Sequence, residues 1–184
     1  MFDRDCACSS ILRIYLPALL LAGGCPLLPA TAALAAPQQL LGKSVVVSWT
    51  DSMQNRKLDG TSYGSTHSQQ RIAYVSSAGR VFVKATNRSG NNVSNREMAP
   101  GANGTSLRFE GNRMVAHAIF SGFARRLTVN FDSSFSSCTA TIQYGSAGGP
   151  RTWKTLRGER VELQSVSPSE PSCSIREGNA AAGG

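Results

Sequence analysis

Short runs of alternating apolar and polar residues dominate the chain after residue 44. Alternation with a period of two is typical of strands that bury one face. The runs are rich in β-branched and aromatic residues and are separated by Gly, Ser, Asn and Pro. They predict an all-β fold, a single antiparallel domain of 8–9 short strands in a barrel or sandwich. The runs are Val45 to Trp49, Arg71 to Ser76, Arg80 to Ala85, Ser106 to Glu110, Arg113 to Phe120, Phe123 to Phe131, Cys138 to Tyr144, Arg160 to Gln164 and Cys173 to Arg176.

Two polar segments interrupt this pattern, Gln54 to Ser68 and Thr86 to Gly104. Both are rich in Gly, Ser and Asn, which predicts long surface loops. Small residues fill the C-terminal end, and we expect residues 179–184 to form a disordered tail.

The register of the central strands follows from two turns. Gly111-Asn112 closes a hairpin that pairs Phe109 with Met114. Ser121-Gly122 closes the next hairpin, which opposes Met114 and Val129 and also Ala118 and Arg125. Both turns place the large apolar residues on one face, so each supports the other.

Arg125 breaks the apolar pattern of that face, because it shares the face with Phe123 and Leu127. A lone buried guanidinium is costly. Three arrangements would avoid this cost. The side chain extends to water, or it pairs with an inward carboxylate such as Glu162, or it lines a cavity beside Ala118 and holds the anionic group of an amphipathic ligand.

The N-terminal region predicts export. An apolar stretch from Ile14 to Leu28 precedes Ala33-Leu34-Ala35, the small residues of a signal peptidase site. We therefore divide the chain into a signal peptide (1–35), a short leader (36–42), the β-domain (43–178) and the tail, with a periplasmic or secreted location. No membrane span is expected after processing. Alternatively, residues 21–25 resemble a lipobox, and Cys25 would then carry a lipid anchor.

Cleavage after Ala35 would leave two of the five cysteines, Cys138 and Cys173. In an oxidising compartment an even pair predicts one disulfide. No His or Cys cluster indicates a metal site, and we expect no cofactor.

The formal net charge of +8 belongs to the mature region, where 13 of 17 cations are Arg. Arg suits bidentate contacts with carboxylate and phosphate. Arg108, His117 and Arg126 share the outward face of the central strands and, with Arg125, are the candidate residues for an anionic ligand. Anionic polysaccharide, lipid headgroups or an acidic protein are the expected partners, and nucleic acid is not favoured, because the aromatics point inward.

Catalytic signals are sparse. His67 lies in a Ser-rich segment near Asp51 and Asp59, but no nucleophile elbow is present. A triad would require a carboxylate and a serine within about 3.2 Å of His67 in a cleft. We expect a non-enzymatic binding or envelope module. The alternatives are a small secreted hydrolase that uses His67 and a purely structural envelope protein.

Four blocks of the chain resemble a group of uncharacterised exported proteins from soil alphaproteobacteria. The resemblance implies a periplasmic or secreted all-β protein with one disulfide, and it implies no activity or ligand. The blocks are Leu41 to Trp49, Phe123 to Thr128, Ser137 to Ala140 and Cys173 to Asn179.

Overall fold

The structure, a computed structural model, describes residues 35–98, 105–120, 122–148, 151–155 and 158–182. Apart from Ala35, the expected signal peptide lies outside these ranges, and so does Cys25. The described chain forms eleven strands, two more than the upper expectation, and confirms the all-β antiparallel fold. They are β1 (Lys43–Lys57), β2 (Ser62–Val75), β3 (Val81–Ser89), β4 (Asn92–Met98), β5 (Ser106–Glu110), β6 (Arg113–Phe120), β7 (Phe123–Phe131), β8 (Cys138–Ser146), β9 (Thr152–Lys154), β10 (Arg160–Pro168) and β11 (Ser172–Glu177).

The strands form two antiparallel sheets. The larger sheet has the order β4-β3-β2-β1-β10-β9, with β11 also paired to β1, and the smaller has the order β5-β6-β7-β8. Strand β1 pairs with β11 along its first part and with β10 along its second part, where the register shifts between Gln54 and Asn55. A register shift of this kind bends a strand, and the larger sheet curls like half of a barrel.

The prediction of two long surface loops is wrong. Strands β1 and β2 continue through most of Gln54 to Ser68 and pair in register from Ser44 with Tyr74 to Arg56 with Ser62. Strand β4 occupies much of the second segment and pairs with β3. Residues 99–104 lie outside the described ranges. Several inward side chains of β1 and β2, namely Asn55, His67 and Gln69, are polar although they are buried. Inward and outward positions therefore do not differ in hydropathy, and the sequence shows no strand pattern in this part.

The predicted register of the central hairpins is confirmed. Phe109 opposes Met114, Met114 opposes Val129, and Ala118 opposes Arg125. These residues and their alternate neighbours face the larger sheet, because Phe109, Met114 and Val129 share one buried cluster with residues of β1 and β2.

Two apolar clusters lie between the sheets. The main cluster contains Val45, Val47, Val75, Phe109 and Val129. The second is smaller, with Met53, Phe123 and Leu163 at its centre. The predicted disulfide is present and joins Cys138 of β8 to Cys173 of β11, with a Cα–Cα distance of 5.6 Å. It therefore fastens the smaller sheet to the larger one beside the main cluster.

Both ends of the domain pack on the larger sheet. In the segment assigned as a leader, a 3-10 helix at Gln38–Leu40 places Leu40 in the core, with no exposure to solvent. Residues 179–182, assigned to a disordered tail, also make contacts. The Ala180 amide donates to Ser44 Oγ at 2.9 Å, and Lys84 Nζ donates to the Ala181 carbonyl at 2.9 Å.

Candidate functional site

A polar layer separates the two apolar clusters. Along β1 the inward side chains change from Val45 and Val47 to Trp49 and Asp51, and they become apolar again at Met53. Asp51 is only 1% exposed. A buried carboxylate requires hydrogen-bond donors or opposite charge, and the layer supplies both.

Asp51 accepts hydrogen bonds from two aromatic side chains. Trp49 Nε1 donates to Oδ1 at 2.8 Å, and the Tyr144 hydroxyl lies 2.9 Å from each carboxylate oxygen. Burial raises the pKa of Asp51, while these hydrogen bonds and the charges of Arg125 and Arg71 oppose the rise. All of these partners are donors or cations, so they match the acceptor-only ionised carboxylate. Burial raises the pKa of Tyr144 to about 12; the Asp51 carboxylate adds to this rise, and Arg125 opposes it.

Two guanidinium groups pack on Trp49. The Cζ atoms of Arg71 and Arg125 each lie 5.2 Å from the centroid of its ring. Cations at this distance are attracted by the negative face of the ring. They also repel each other, and Asp51 is the carboxylate that they share.

Arg71 is held by neutral acceptors. Nη1 donates to the carbonyls of Gln70 (2.7 Å) and Thr86 (3.3 Å), and Nη2 donates to the amide oxygens of Gln69 and Asn87, both at 3.0 Å. Its buried Nε has no hydrogen-bond partner in the described part of the chain. Burial, followed by repulsion from Arg125, lowers the pKa of Arg71 to about 9, so the group is charged at neutral pH.

Arg125 adopts the third of the arrangements considered for it, because it lines a cleft between the sheets. Its charge also acts on the Asp51 carboxylate and the Tyr144 hydroxyl. The predicted pair of Arg125 with Glu162 is wrong. Glu162 accepts instead from Arg56 Nη2 at 2.7 Å, because the register of β1 and β10 sets these two residues opposite each other.

The cleft opens between the two sheets and has a cavity volume of about 50 Å³. The larger sheet contributes one residue from β2 and one from β3, while β5, β6 and β7 supply most of the remaining wall. Leu127 is buried and Ser106 is exposed, which places them toward the floor and the mouth. Most of the surface inside the cleft is apolar, although half of its lining residues are polar or charged. These residues are Arg71, Val83, Thr105, Ser106, Leu107, Ala116, His117, Ala118, Arg125 and Leu127.

The candidate surface residues are not gathered into one site. His117 opposes Arg126 across β6 and β7 and also borders the cleft. Arg126 is exposed. Arg108 forms an ion pair with Glu110, which also contacts Arg113 at 2.9 Å. The carboxylate of Glu110 thus offsets part of the charge expected from the patch.

His67 lies in a second polar cluster. Its Nε2 is 3.0 Å from Ser65 Oγ, which also accepts from Asn55 Nδ2 at 2.8 Å. Asn55 Oδ1 in turn accepts from Trp153 Nε1 at 3.1 Å, and the ring centroids of His67 and Trp153 lie 5.6 Å apart in a T-shaped arrangement. Burial lowers the pKa of His67, and the charge of Asp51 opposes this shift. Ser65 therefore contacts His67 as the serine of a triad would. The Asp51 carboxylate, which would have to orient His67, is hydrogen-bonded to Trp49 and Tyr144 instead.

Three residues of the polar layer were missed from the sequence, namely Trp49, Arg71 and Tyr144, and Asp51 was considered only as the acid of a triad with His67. The alternation of inward and outward residues along a strand could have identified two of these four residues. Continued beyond Trp49, it places Asp51 on the buried face, and continued back from Val75 it does the same for Arg71.

Within the described ranges, no cluster of three or more His, Cys, Asp or Glu side chains could hold a metal ion. No helix in the same ranges is long and apolar enough to cross a membrane. No protein-family model, curated protein or solved structure matches the chain.

Proposed function

We propose that this protein is an exported, non-enzymatic binding module that holds an anionic group in the cleft between its two sheets. The observation that supports this most directly is the placement of Arg71 and Arg125 in one open cleft, with the Asp51 carboxylate acting on both. Two cations and one anion leave an excess positive charge in a largely desolvated layer. An anion entering the cleft would relieve the repulsion between the guanidinium groups.

The export part of the proposal is supported by the signal sequence and by the disulfide. Disulfides persist mainly in oxidising compartments. Mass spectrometry of the native protein tests it, because one spectrum shows cleavage after Ala35 or a lipid on Cys25.

Binding is tested by titrating the purified protein with sodium benzoate and inorganic phosphate while following tryptophan fluorescence, to which Trp49 contributes. Arg125→Ala should weaken binding by roughly ten- to a hundredfold, as expected for a charged hydrogen-bond partner. Arg126→Ala is the matched control, because it removes the same charge from the next residue of the strand, on the other face. If Arg126→Ala abolishes binding and Arg125→Ala does not, the ligand site is the outer surface with Arg108, His117 and Arg126.

The hydrolase alternative has one observation in its favour, the contact between Ser65 and His67. A fluorophosphonate probe tests it, because such probes label serines activated by a neighbouring base. We expect Ser65 to remain unlabelled. Labelling that disappears in the Ser65→Ala and His67→Gln variants would favour the hydrolase.

A further inference from the structure

The smaller sheet ends at the cleft, which Ser106 and Leu107 of its edge strand line. From this geometry we propose that the partner is a protein with an extended acidic segment, which adds to the free edge of β5 as an antiparallel strand. The inference rests on the proposed function, because a carboxylate of that segment is the anion that the same cleft takes.

The backbone of β5 is available for pairing along one side. Within the described ranges β5 pairs only with β6, and their hairpin closes at the pair of Glu110 and Arg113. In a two-residue hairpin the closing pair is hydrogen-bonded, and hydrogen-bonded pairs then alternate along the strands. Leu107 and Phe109 therefore direct their backbone N–H and C=O groups to the free edge. An extended peptide can pair with such groups.

A strand added beside β5 would lie over β4 of the larger sheet. Val83 of β3 and Leu107 of β5 both line the cleft, so these two strands lie across it from each other. Strand β4 is one place further out than β3, and strands have the same spacing in both sheets. The larger sheet thus extends one strand beyond the smaller sheet on this side, and the added strand would cover that extension.

The inner face of this extension is positively charged. Arg96 of β4 is exposed and lies in the row of Arg71, because Ala85 of β3 opposes both residues. Together with Arg125, three arginines therefore belong to this side of the domain. The Asp51 carboxylate acts on Arg71 and Arg125 and balances one of the three charges. An excess of positive charge remains and would attract an acidic segment.

The strands around the cleft add no carboxylate to this face. Strands β2, β3, β6 and β7 contain no Asp or Glu, and the acidic residues of β4 and β5 are Glu97 and Glu110. Glu97 opposes Lys84 on the outer face of the larger sheet. Glu110 pairs with Arg108 and Arg113. A carboxylate of the partner would therefore compensate a charge that these strands do not.

The cleft is too small for a large ligand, and its volume of about 50 Å³ corresponds to a few water-sized groups. Arg71 and Arg125 already have partners, because Arg71 donates to backbone carbonyls and Arg125 packs on Trp49 and hydrogen-bonds Tyr144. Neither guanidinium has to change these contacts, since both attract an acid at the mouth through their charge. Direct contact falls to the exposed Arg96, and the backbone of β5 supplies the other hydrogen bonds.

The test uses a synthetic peptide in which threonine alternates with valine and one glutamate replaces the central valine. In an antiparallel strand, the residues opposite Leu107 and Phe109 share their inward face and direct their amides to β5. N-methylation of the valine and glutamate amides should therefore abolish binding, whereas N-methylation of the threonine amides, the matched control, should not. Glutamine in place of the glutamate should weaken binding by about fivefold, the upper range for an exposed ion pair.

Hydrogen exchange followed by NMR locates the bound peptide on the protein. Exchange of the Leu107 and Phe109 amides should slow on binding, whereas that of the Arg108 amide, which faces β6, should change little. Arg96→Ala should weaken binding by about twofold to fivefold. Arg88→Ala is the matched control, because it removes an exposed arginine from the outer face of the neighbouring strand, and it should leave binding unchanged.

The outcomes separate this inference from the proposed function. If benzoate binds and the peptide does not, the cleft takes anions and the inference is wrong. Binding of the peptide without slower exchange of Leu107 and Phe109, or equal binding of all N-methylated peptides, would exclude strand addition. Slow exchange of both amides in the protein alone, together with self-association in sedimentation, would assign the edge to a second copy of the chain and overturn the inference. If benzoate, phosphate and the peptide all fail to bind, both proposals fail.

Discussion

The Tyr144 hydroxyl lies 2.9 Å from both carboxylate oxygens of Asp51 and thereby connects the smaller sheet to the larger one through a buried polar contact. Tyr144 is on β8 and Asp51 on β1. The contact is central to the site, because Asp51 balances part of the charge of Arg71 and Arg125.

Replacement of Tyr144 by Phe should lower the free energy of unfolding by about 1–3 kcal/mol. The substitution removes a donor from a buried carboxylate while it keeps the ring. Urea denaturation measures the loss. Tyr74→Phe is the control, because Tyr74 stacks on Phe82, and its hydroxyl makes no hydrogen bond among the described residues. Equal stability of Tyr144→Phe and the parent would show that Asp51 does not depend on this donor.

The stability of the protein should fall as the pH is lowered from about 7.5 to about 5.5. Burial lowers the pKa of His67 below 6.5. Below that pH the unfolded chain therefore binds a proton more readily than the folded chain, and acid favours unfolding. The raised pKa of Asp51 acts in the opposite direction, but only as the pH falls toward the range of a carboxyl group.

His67→Gln should flatten this pH dependence, which chemical denaturation at a series of pH values would measure. His117→Gln is the matched control, because His117 is the second of the two histidines in the chain. If the two variants have the same pH dependence as the parent protein, the assignment to His67 is wrong.

The sequence predicted best those parts of the fold in which hydropathy alternates. The hairpins around Gly111 and Gly122 were placed correctly, because each turn closes between strands with one apolar face. The segment from Gln54 to Ser68 was assigned to a loop, since its inward residues Asn55 and His67 are polar. Their burial depends on hydrogen bonds that both make to Ser65. The cleft could be anticipated from Arg125 alone. The inward position of Arg71 follows from the alternation within the predicted strand Arg71 to Ser76, whereas that of Asp51 required knowledge that β1 continues beyond Trp49.

Removal of the disulfide should lower the free energy of unfolding by about 2–4 kcal/mol without changing the fold. The bond between Cys138 and Cys173 spans a sequence separation of 35 residues, and it chiefly restrains the unfolded chain. Denaturation of the double Ser variant, compared with the parent with and without reductant, gives the value. Peptide mapping under non-reducing conditions should recover the two cysteines joined, and free thiols at both positions in protein recovered from the periplasm of expressing bacteria would contradict the prediction.

Removal of residues 179–184 should destabilise the domain, although the sequence of this segment suggests a dispensable tail. Ala180 and Ala181 hydrogen-bond Ser44 and Lys84 on the outer face of the larger sheet. Between these two anchors lie Val46 and Ile72, which oppose each other on that face and are only 5% and 6% exposed.

Truncation after Gly178 would remove both hydrogen bonds and expose part of this apolar pair, at a cost of about 1–3 kcal/mol. Truncation after Ala182 is the control, because it retains every residue that makes these contacts. Urea denaturation of the two truncated proteins measures the difference. Since the segment packs on the outer face, away from the cleft, ligand binding by the folded truncated protein should be unchanged. Equal stability of the two truncated proteins would show that residues 179–182 do not help to cover Val46 and Ile72.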